Sequence, residues 1–212
     1  MKTGILWDLD GTLLDTLQDL ADAVNYALEQ FGYPRRSLEE VRRFVGNGAR
    51  RLITLAVPEG ADADAVLKIF RTYYDAHSQI KTRPYDGITE ALAVLGQKYP
   101  MAIVSNKPDS AVKILCAQYF PQLYARGEST DCLRKPAPDM VWKAMDSIGV
   151  ERCIYVGDSE VDVQTAKAAG MPCLSVLWGF RHAEEIETAG GQYFCENPAD
   201  LIEKLEEMIN GQ

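Results

Sequence analysis

Four short apolar runs, separated by segments with helical patterns, constrain the fold of this chain more than any other feature of its sequence. Each run is apolar at nearly every position, as in strands that are covered on both faces. The runs occupy residues 4–7, 101–104, 153–156 and 173–177. Amphipathic or alanine-rich patterns predict helices between them, over 87–99, 109–119, 138–148 and 161–169. This alternation predicts an α/β fold with a central parallel sheet and right-handed crossovers.

Three further segments fit the periphery of such a core. The short apolar segments 123–125 and 193–195 are typical of edge strands. Residues 198–209 carry a helical pattern, and we expect this helix to close the core.

Residues 17–82 interrupt the alternation because they contain helical patterns and no strand pattern. The first helix keeps its apolar spacing from 17 to 31, and Gly32 with Pro34 ends it. A capping-box pattern, Ser37-Leu38-Glu39-Glu40, begins a second helix, and Gly46-Asn47-Gly48 separates it from a third and a fourth. We therefore expect a core formed by 1–16 and 83–212, with a helical domain inserted at 17–82.

The composition limits the partners of the chain. A net charge of −9 in 212 residues argues against binding to a nucleic-acid backbone, which requires basic patches. No apolar run approaches the roughly 20 residues that cross a bilayer, and the first run is too short for a secretion signal. The five cysteines show no CxxC spacing, and their odd number without a signal sequence favours a reducing compartment. We expect a cytoplasmic protein, monomeric or dimeric, without a membrane or nucleic-acid partner.

Polar residues gather where the predicted strands end. The carboxyl ends of parallel strands lie at one edge of a sheet, so groups that are distant in sequence meet there. A lysine in the loop before the helix at 138–148 can reach the same edge. The groups are Asp8 and Asp10, Ser105-Asn106-Lys107, Lys135, and Asp158 with Asp162.

This set of side chains predicts a phosphoryl-binding site. Several carboxylates at one site require raised pKa values or a divalent cation, and oxygen ligands favour Mg²⁺ over zinc. Neither His77 nor His182 has ligand-like spacing. Ser105, Asn106 and Lys135 supply the donors and the positive charge that an oxyanion needs. One aspartate could then attack phosphorus while the other moves protons.

Each group taken alone also has an ordinary structural interpretation. An Asp-x-Asp sequence at a strand end is often a turn or a cap, and Lys135 beside prolines fits a solvated loop charge. Gly157-Asp158 fits a tight turn before a helix. These interpretations do not predict four polar groups at successive tips of one sheet edge.

Four motifs, in order, make the chain resemble the haloacid dehalogenase superfamily, specifically its phosphatase branch. The resemblance covers the whole chain and implies a Rossmann-like three-layer core with an inserted α-helical cap. The motifs are Asp8-x-Asp10-Gly11-Thr12-Leu13-x-Asp15-Thr16, Val104-Ser105-Asn106-Lys107, Lys135-Pro136-x-Pro138 and Gly157-Asp158-x-x-x-Asp162.

The resemblance implies a role for each matching residue. Asp8 would be the nucleophile and Asp10 the general acid and base. Ser105 would hydrogen-bond the transferring phosphoryl group, and Lys135 would stabilise its charge. Mg²⁺ would be held by Asp8, the main-chain carbonyl of Asp10, and Asp158. The last motif residue, Asp162, would support this metal site from a second layer or through water.

The same resemblance suggests a substrate. Dehalogenase members lack an acid at the position of Asp10, so its presence favours phosphate esters. The cap length and the loop at 44–48 look like phosphoglycolate phosphatases, which implies a small phosphorylated metabolite such as 2-phosphoglycolate. Candidate substrate contacts are Thr12 and Asn106 in the core and Arg43, Asn47 and Arg50 in the cap.

Other activities stay open at this point. Inorganic pyrophosphatase, nucleotidase and β-phosphoglucomutase share the chemistry, whereas a phosphonatase needs a cap lysine near the 46–48 loop, and Lys68 and Lys81 lie elsewhere. A phospho-aspartate signalling switch would use similar residues, but it has no substrate chamber for a cap to cover. In the family that the chain resembles, phenylalanine is commoner than tryptophan before the first aspartate. Trp7 should fill the same apolar volume. Arg181 and His182 follow the fourth strand and could face the cleft, although we expect them to be solvent-exposed.

Overall fold

The computed structural model describes residues 2–211. These residues form eight strands, six of which pair in parallel in the order β5-β4-β1-β6-β7-β8, while the other two form a separate antiparallel ribbon. The strands are β1 (Thr3–Trp7), β2 (Leu14–Asp15), β3 (Arg83–Pro84), β4 (Met101–Pro108), β5 (Tyr124–Glu128), β6 (Arg152–Gly157), β7 (Cys173–Val176) and β8 (Tyr193–Cys195). The predicted parallel sheet is confirmed, and both weak strands lie at its edges, as expected.

The register of the central strands determines which side chains meet at the sheet edge. Trp7, the last residue of β1, pairs with Ile103 on one side and with Val156 on the other. The next residue, Asp8, continues the ladder by donating its N–H to the Val156 carbonyl at 2.8 Å. The residues that follow these positions on β4 and β6 therefore reach the same edge as Asp8.

Ten α-helices are present in the described part of the chain. They are α1 (Leu17–Glu29), α2 (Leu38–Phe44), α3 (Gly48–Ala56), α4 (Ala63–His77), α5 (Ile88–Leu95), α6 (Asp109–Tyr119), α7 (Asp139–Ile148), α8 (Glu160–Ala169), α9 (Ala183–Thr188) and α10 (Leu201–Asn210), the last preceded by a 3₁₀ turn at Pro198–Asp200. The pattern at 87–99 produces a shorter helix, α5, than predicted. The six-residue α9 was not predicted, because a single buried apolar residue, Ile186, is too little to show a period.

Helices cover both faces of the sheet and create a three-layer core. Alternate residues of one strand face opposite sides, so Ile5 and Trp7 pack with α5, α6 and α10, while Leu6 packs with α7 and α8. Complete burial of such large apolar side chains contributes about 1.5–3 kcal/mol each to the free energy of unfolding. Trp7 is fully buried in the first cluster, as expected from its place in an apolar run.

The helices α1 to α4 surround an apolar cluster of their own. Val24 and Leu28 of α1 pack there with Ile53 of α3 and Phe70 of α4, and Phe180 from the α/β core joins them. The predicted capping box at the start of α2 is present, with the Ser37 hydroxyl accepting from the N–H of Glu40 at 3.2 Å. We refer to α1–α4 as the cap and to the three-layer part as the core.

The two chain connections between core and cap lie side by side. Strand β2 leads into the cap and β3 leaves it, and they pair antiparallel through Leu14 with Pro84 and Asp15 with Arg83. Two-residue strands are too short to show an alternation, so this ribbon was not predicted. The buried carboxylate of Asp19 accepts from the N–H of Thr82 at 2.8 Å and further ties the outgoing segment to α1.

Helix length and cysteine burial can be stated for residues 2–211. No helix in this range combines the length and the apolar character needed to cross a membrane. All five cysteines are free thiols, and Cys153 and Cys173 are buried in strands, as expected from their apolar surroundings.

Candidate active site

A cavity lies between the carboxyl ends of β1, β4 and β6 and the overlying cap. The parallel arrangement brings side chains from distant parts of the sequence to this space. Its core lining consists of Asp8, Asp10, Ser105, Asn106, Lys107, Pro108, Ala111, Lys135, Asp158, Ser159, Phe180 and Arg181. The structure therefore brings together all the residues for which the sequence predicted catalytic or metal-binding roles. Thr12 lies beside this group and contacts Asp158 rather than the cavity.

Lys135 connects the acids of the first and fourth motifs. Its ammonium donates to Asp8 Oδ1 and to Asp162 Oδ1, both at 2.8 Å, and to the Tyr155 hydroxyl at 3.0 Å. Burial alone would lower the pKa of Lys135, but Asp162 and Asp8 raise it well above its ordinary value, so the side chain stays charged. A fixed positive charge thus stands beside Asp8.

Asp8 itself is buried among charges of both signs. Burial raises its pKa to about 7, and Asp162 and Asp10 act in the same direction, while the Lys135 ammonium opposes them. Since only Oδ1 of Asp8 is engaged in a hydrogen bond with a described residue, Oδ2 is available to a ligand in the cavity. An additional cation close to the Asp8 carboxylate would favour its ionised form.

Asp158 is held by two donors and by close glycine backbones. Its Oδ2 accepts from the Phe180 N–H at 2.6 Å and its Oδ1 from the Thr12 hydroxyl at 3.3 Å. A side-chain Cβ at Gly11 or Gly179 would overlap the Asp158 side chain, which explains glycine at both positions. Burial, with the nearby Asp162 and Asp8, raises the pKa of Asp158 well above its ordinary value.

The acids of this site fit a hard divalent cation. Carboxylate oxygens of Asp8, Asp158 and Asp162 all lie within 4.8 Å of one another. Asp162 is already engaged, because its Oδ1 accepts from Lys135 and its Oδ2 from the Ser159 hydroxyl at 2.6 Å. Asp8 and Asp158 line the cavity, whereas Asp162 does not, so these two acids are the ones that face a metal, and an all-oxygen set of this kind suits Mg²⁺.

The Asp10 side chain has partners of its own outside this acid cluster. Its Oδ1 accepts from the Thr16 hydroxyl at 2.6 Å and lies 3.0 Å from the Lys107 ammonium. The sequence placed Lys107 at the strand end but assigned it no role. Its position on β4 gives no indication of which acid it contacts, because that contact depends on the fold around β1 and the cap.

Ser105 and Asn106 occupy different places around the cavity. The Ser105 hydroxyl, nearly buried, accepts from the Lys107 N–H at 3.2 Å and keeps its own proton for another acceptor. Asn106 donates to the carbonyl of Lys135 at 3.0 Å and to that of Gly46 in the cap at 3.1 Å. The buried Asn106 Oδ1 accepts no hydrogen bond from a residue in the described range.

The three cap residues predicted to contact substrate do not line the cavity. Arg43 has 65% of its side chain exposed and pairs with Glu39, while the exposed Arg50 pairs with Asp64. Asn47 is half-buried at the start of α3. The cap lining comes from other positions: Leu20, Val45, Gly46, Gly48, Ala49, Leu52, Phe70, Arg71, Tyr74 and Asp75. The helical spacing of 70, 71 and 74 is the signal that could have found this face of α4.

Arg181 corrects an expectation from the sequence. It was expected to be solvent-exposed, but it is buried and donates to the main-chain carbonyl of Val45 at 2.6 Å and to that of Arg42 at 3.0 Å. Glu160 pairs with its Nε at 3.0 Å. The carbonyls at the end of α2 have no helical partners, and a buried guanidinium satisfies them. His182 is exposed, as expected.

Arg42 makes the reciprocal contact from the cap to the core. Its guanidinium donates to the carbonyl of Gly179 at 2.8 Å and to that of Phe180 at 3.0 Å. Arg42 and Arg181 together, each bound to main-chain carbonyls of the other part, form what we call the arginine clamp. The clamp holds the cap over the cavity.

Comparison with known proteins gives a consistent result. A family model described as haloacid dehalogenase-like hydrolase matches residues 5–176. A phosphoglycolate phosphatase from Pseudomonas putida is 35% identical over 98% of this chain and 78% of its own length. A phosphoglycolate phosphatase from Mesorhizobium japonicum is 35% identical over 95% of each chain. A solved structure from Lactobacillus delbrueckii subsp. bulgaricus, of a proposed phosphoglycolate phosphatase, has a TM-score of 0.91 at 36% identity and covers 97% of this chain and 99% of its own.

Proposed function

The chain belongs to the haloacid dehalogenase-like hydrolase family and is a phosphoric monoester hydrolase, and on that premise we propose that it acts through an aspartyl-phosphate intermediate with Mg²⁺. The observation that carries the mechanism is the Lys135 ammonium, 2.8 Å from Asp8 Oδ1, beside the carboxylate of Asp158. A nucleophile needs an unprotonated oxygen, and the Lys135 ammonium together with the Mg²⁺ ion would keep Asp8 in that form.

In the first half of the proposed reaction, Asp8 attacks phosphorus. A bond forms between a carboxylate oxygen of Asp8 and the phosphorus, while the bond from phosphorus to the ester oxygen breaks. Asp10 donates its proton to that leaving oxygen, so an alcohol rather than an alkoxide departs. Lys135 and the Ser105 hydroxyl stabilise the charge on the phosphoryl oxygens.

In the second half, water replaces Asp8 on phosphorus. Asp10, now unprotonated, accepts a proton from the attacking water, and the bond between phosphorus and Asp8 breaks to release phosphate. Asp8, Asp158 and the main-chain carbonyl of Asp10 would hold the Mg²⁺. When bound, the cation neutralises charge on the phosphoryl group.

We propose 2-phosphoglycolate as the substrate, because the compared relatives are phosphoglycolate phosphatases and cover nearly the whole chain. The cap lines the cavity with apolar residues of α1, α3 and α4 together with the charged side chains of Arg71 and Asp75. We also propose that residues 17–82 are the cap domain. We propose further that the enzyme is cytoplasmic and has no membrane or nucleic-acid partner.

The test is turnover of a panel of phosphate compounds by the intact chain, with Mg²⁺ and with EDTA. The panel contains 2-phosphoglycolate, a sugar phosphate, a nucleoside monophosphate, pyrophosphate and an aryl phosphate. We expect 2-phosphoglycolate to have the highest kcat/KM and EDTA to abolish turnover. A panel without any turnover would overturn the proposal and favour a phospho-aspartate switch, and a preference for pyrophosphate would reassign the substrate.

A further inference from the structure

Lys107 lies between a residue of the core and a residue of the cap. Its ammonium is 3.0 Å from Asp10 Oδ1 and donates to the hydroxyl of Tyr74, on α4, at 2.9 Å. The Lys107 side chain is only 4% exposed, so these contacts are shielded from solvent. Asp10 and Lys107 belong to the core, whereas Tyr74 belongs to the cap.

From this geometry we infer that Tyr74 is a positioning residue: through Lys107, it holds the Asp10 carboxylate in place for proton transfer when the cap covers the core. This inference rests on the proposed function, because it concerns the proton donor of that reaction. It adds a cap residue that acts on the reaction without touching the phosphoryl group.

The carboxylate of Asp10 is held through one oxygen. Oδ1 accepts from the Thr16 hydroxyl at 2.6 Å and faces the Lys107 ammonium, whereas Oδ2 has no hydrogen-bond partner among residues 2–211. Two contacts on the same oxygen restrict the rotation of the carboxyl group. Oδ2 is then the atom that can transfer a proton to the leaving oxygen.

Tyr74 is itself rigidly placed. It is buried, and its ring stacks on Phe70 with centroids 5.5 Å apart and an interplanar angle of 7°. An immobile ring presents its hydroxyl at a constant place relative to α4. Lys107 therefore loses a fixed partner whenever α4 moves away from β4.

The protonation states agree with these contacts at neutral pH. Burial alone would lower the pKa of Lys107, but the Asp10 carboxylate and Tyr74 raise it above its ordinary value. Burial raises the pKa of Tyr74 to about 12, so this side chain remains a phenol. An ammonium thus donates to the phenol oxygen of Tyr74 and faces Oδ1 of Asp10, which leaves Oδ2 to carry the proton that the reaction transfers.

The test compares two esters whose leaving groups need a proton to different degrees. Release of the alcohol from 2-phosphoglycolate requires protonation, whereas p-nitrophenyl phosphate loses a stable phenolate. The ratio kcat/KM reports the steps up to release of the alcohol, so later hydrolysis of the intermediate does not affect it. Tyr74→Phe removes the hydroxyl and keeps the stacked ring, and Lys107→Met removes the charge.

We expect Tyr74→Phe to lower kcat/KM for 2-phosphoglycolate about tenfold and that for p-nitrophenyl phosphate less than about twofold. Lys107→Met should act in the same direction and more strongly. The matched control is Tyr73→Phe on the same helix, whose ring stacks on Tyr26 and His77 and does not line the cavity. Its two kcat/KM values and its Tm should equal those of the wild type.

Equal losses for the two esters in Tyr74→Phe, or no loss for either, would overturn the inference and leave the proposed function intact. If the wild type favours another alkyl phosphate in the panel, that ester takes the place of 2-phosphoglycolate. A wild type that hydrolyses neither class of ester contradicts the proposed function instead, so the two failures are distinguishable.

Discussion

Arg181 of the core donates from Nη2 to the main-chain carbonyl of Val45 in the cap, at a distance of 2.6 Å. This contact and its reciprocal partner, Arg42, bind the cap to the core through main-chain carbonyls rather than through the acids that the mechanism uses. Cap attachment and phosphoryl chemistry are therefore carried by different residues, and substitutions should separate their effects.

Arg181→Met should weaken the closed state of the cap. The carbonyls of Arg42 and Val45 would lose a buried charged donor, which costs about 1–3 kcal/mol when no other group replaces it. We expect a lower Tm and a severalfold higher KM in assays with the best phosphate ester. Arg51→Met is the matched control, because Arg51 is exposed on cap helix α3. Equal KM values for the two variants would contradict a clamp function for Arg181.

The nucleophile is tested by Asp8→Asn. The amide keeps the shape of the side chain but cannot form the phosphoenzyme, so turnover should fall at least about a thousandfold. Retention of the fold is checked by circular dichroism and thermal melting. Turnover close to that of the wild type would show that another group attacks phosphorus.

Asp158→Asn and Asp162→Asn should differ in their Mg²⁺ dependence. Asp158 faces the metal site, so its amide variant should require a much higher Mg²⁺ concentration for half-maximal activity. Asp162 contacts Lys135 and Ser159 instead, so its variant should lose kcat with a smaller change in the Mg²⁺ requirement. A titration of activity with Mg²⁺ distinguishes the two. Identical shifts in both variants would mean that Asp162 is also a direct ligand.

The buried acids predict how pH affects the protein without metal. Burial raises the pKa of Asp8 from 3.8 to about 7, so the folded state binds more protons than the unfolded state between these values. The contribution of Asp8 to stability is therefore complete below pH 4 and is lost as the pH rises through about 7.

Mg²⁺ should offset this loss of stability at higher pH, since the cation replaces the proton on the buried acids. We expect the increase in Tm caused by Mg²⁺ to be larger at pH 8 than at pH 5.5, as measured by differential scanning calorimetry. Asp158→Asn should reduce that difference. An increase in Tm that is the same at both pH values would exclude coupling between the proton and the cation.

The cysteines differ in their predicted reactivity. Burial raises the pKa of Cys116 and of Cys153 to about 12 and that of Cys195 to about 11, and Cys173 shifts in the same direction. Cys132 is half-buried. In the native protein a thiol reagent should therefore label Cys132 first, and Cys132→Ser should abolish this fast phase. Fast labelling of a second thiol would contradict the burial of the other four.

The sequence predicted the core of this protein well, because its strands are continuous apolar runs and each run ends in a polar group. Asp8 and Asp158 could be placed together from topology alone. The β2–β3 ribbon could not, since pairing of Leu14 with Pro84 joins two-residue segments that carry no period. Local patterns indicate elements, but not pairings as short as this one.

Contacts between the cap and the core were the part that the sequence did not reveal. The contact between Lys107 and Tyr74 joins residues 33 positions apart in sequence, and Arg181 binds carbonyls more than 130 positions away. An arginine after a strand is most often solvated. The burial of Arg181 depends on the main-chain carbonyls at the end of α2, and nothing in the sequence near Arg181 indicates that contact. Arg43 and Arg50 show the opposite case: their positions around the loop at 44–48 suggested substrate contacts, but both side chains are exposed and pair with acids of the cap.

The acceptors of the arginine clamp have a consequence for how this protein can diversify. Both guanidinium groups bind carbonyl oxygens of the backbone, which every amino acid provides. Side chains in the loop after α2 can therefore be exchanged without removing the acceptors that dock it. Substitutions in that loop can therefore change which molecules the cap accepts, while Arg42 and Arg181 keep the cap attached to the core.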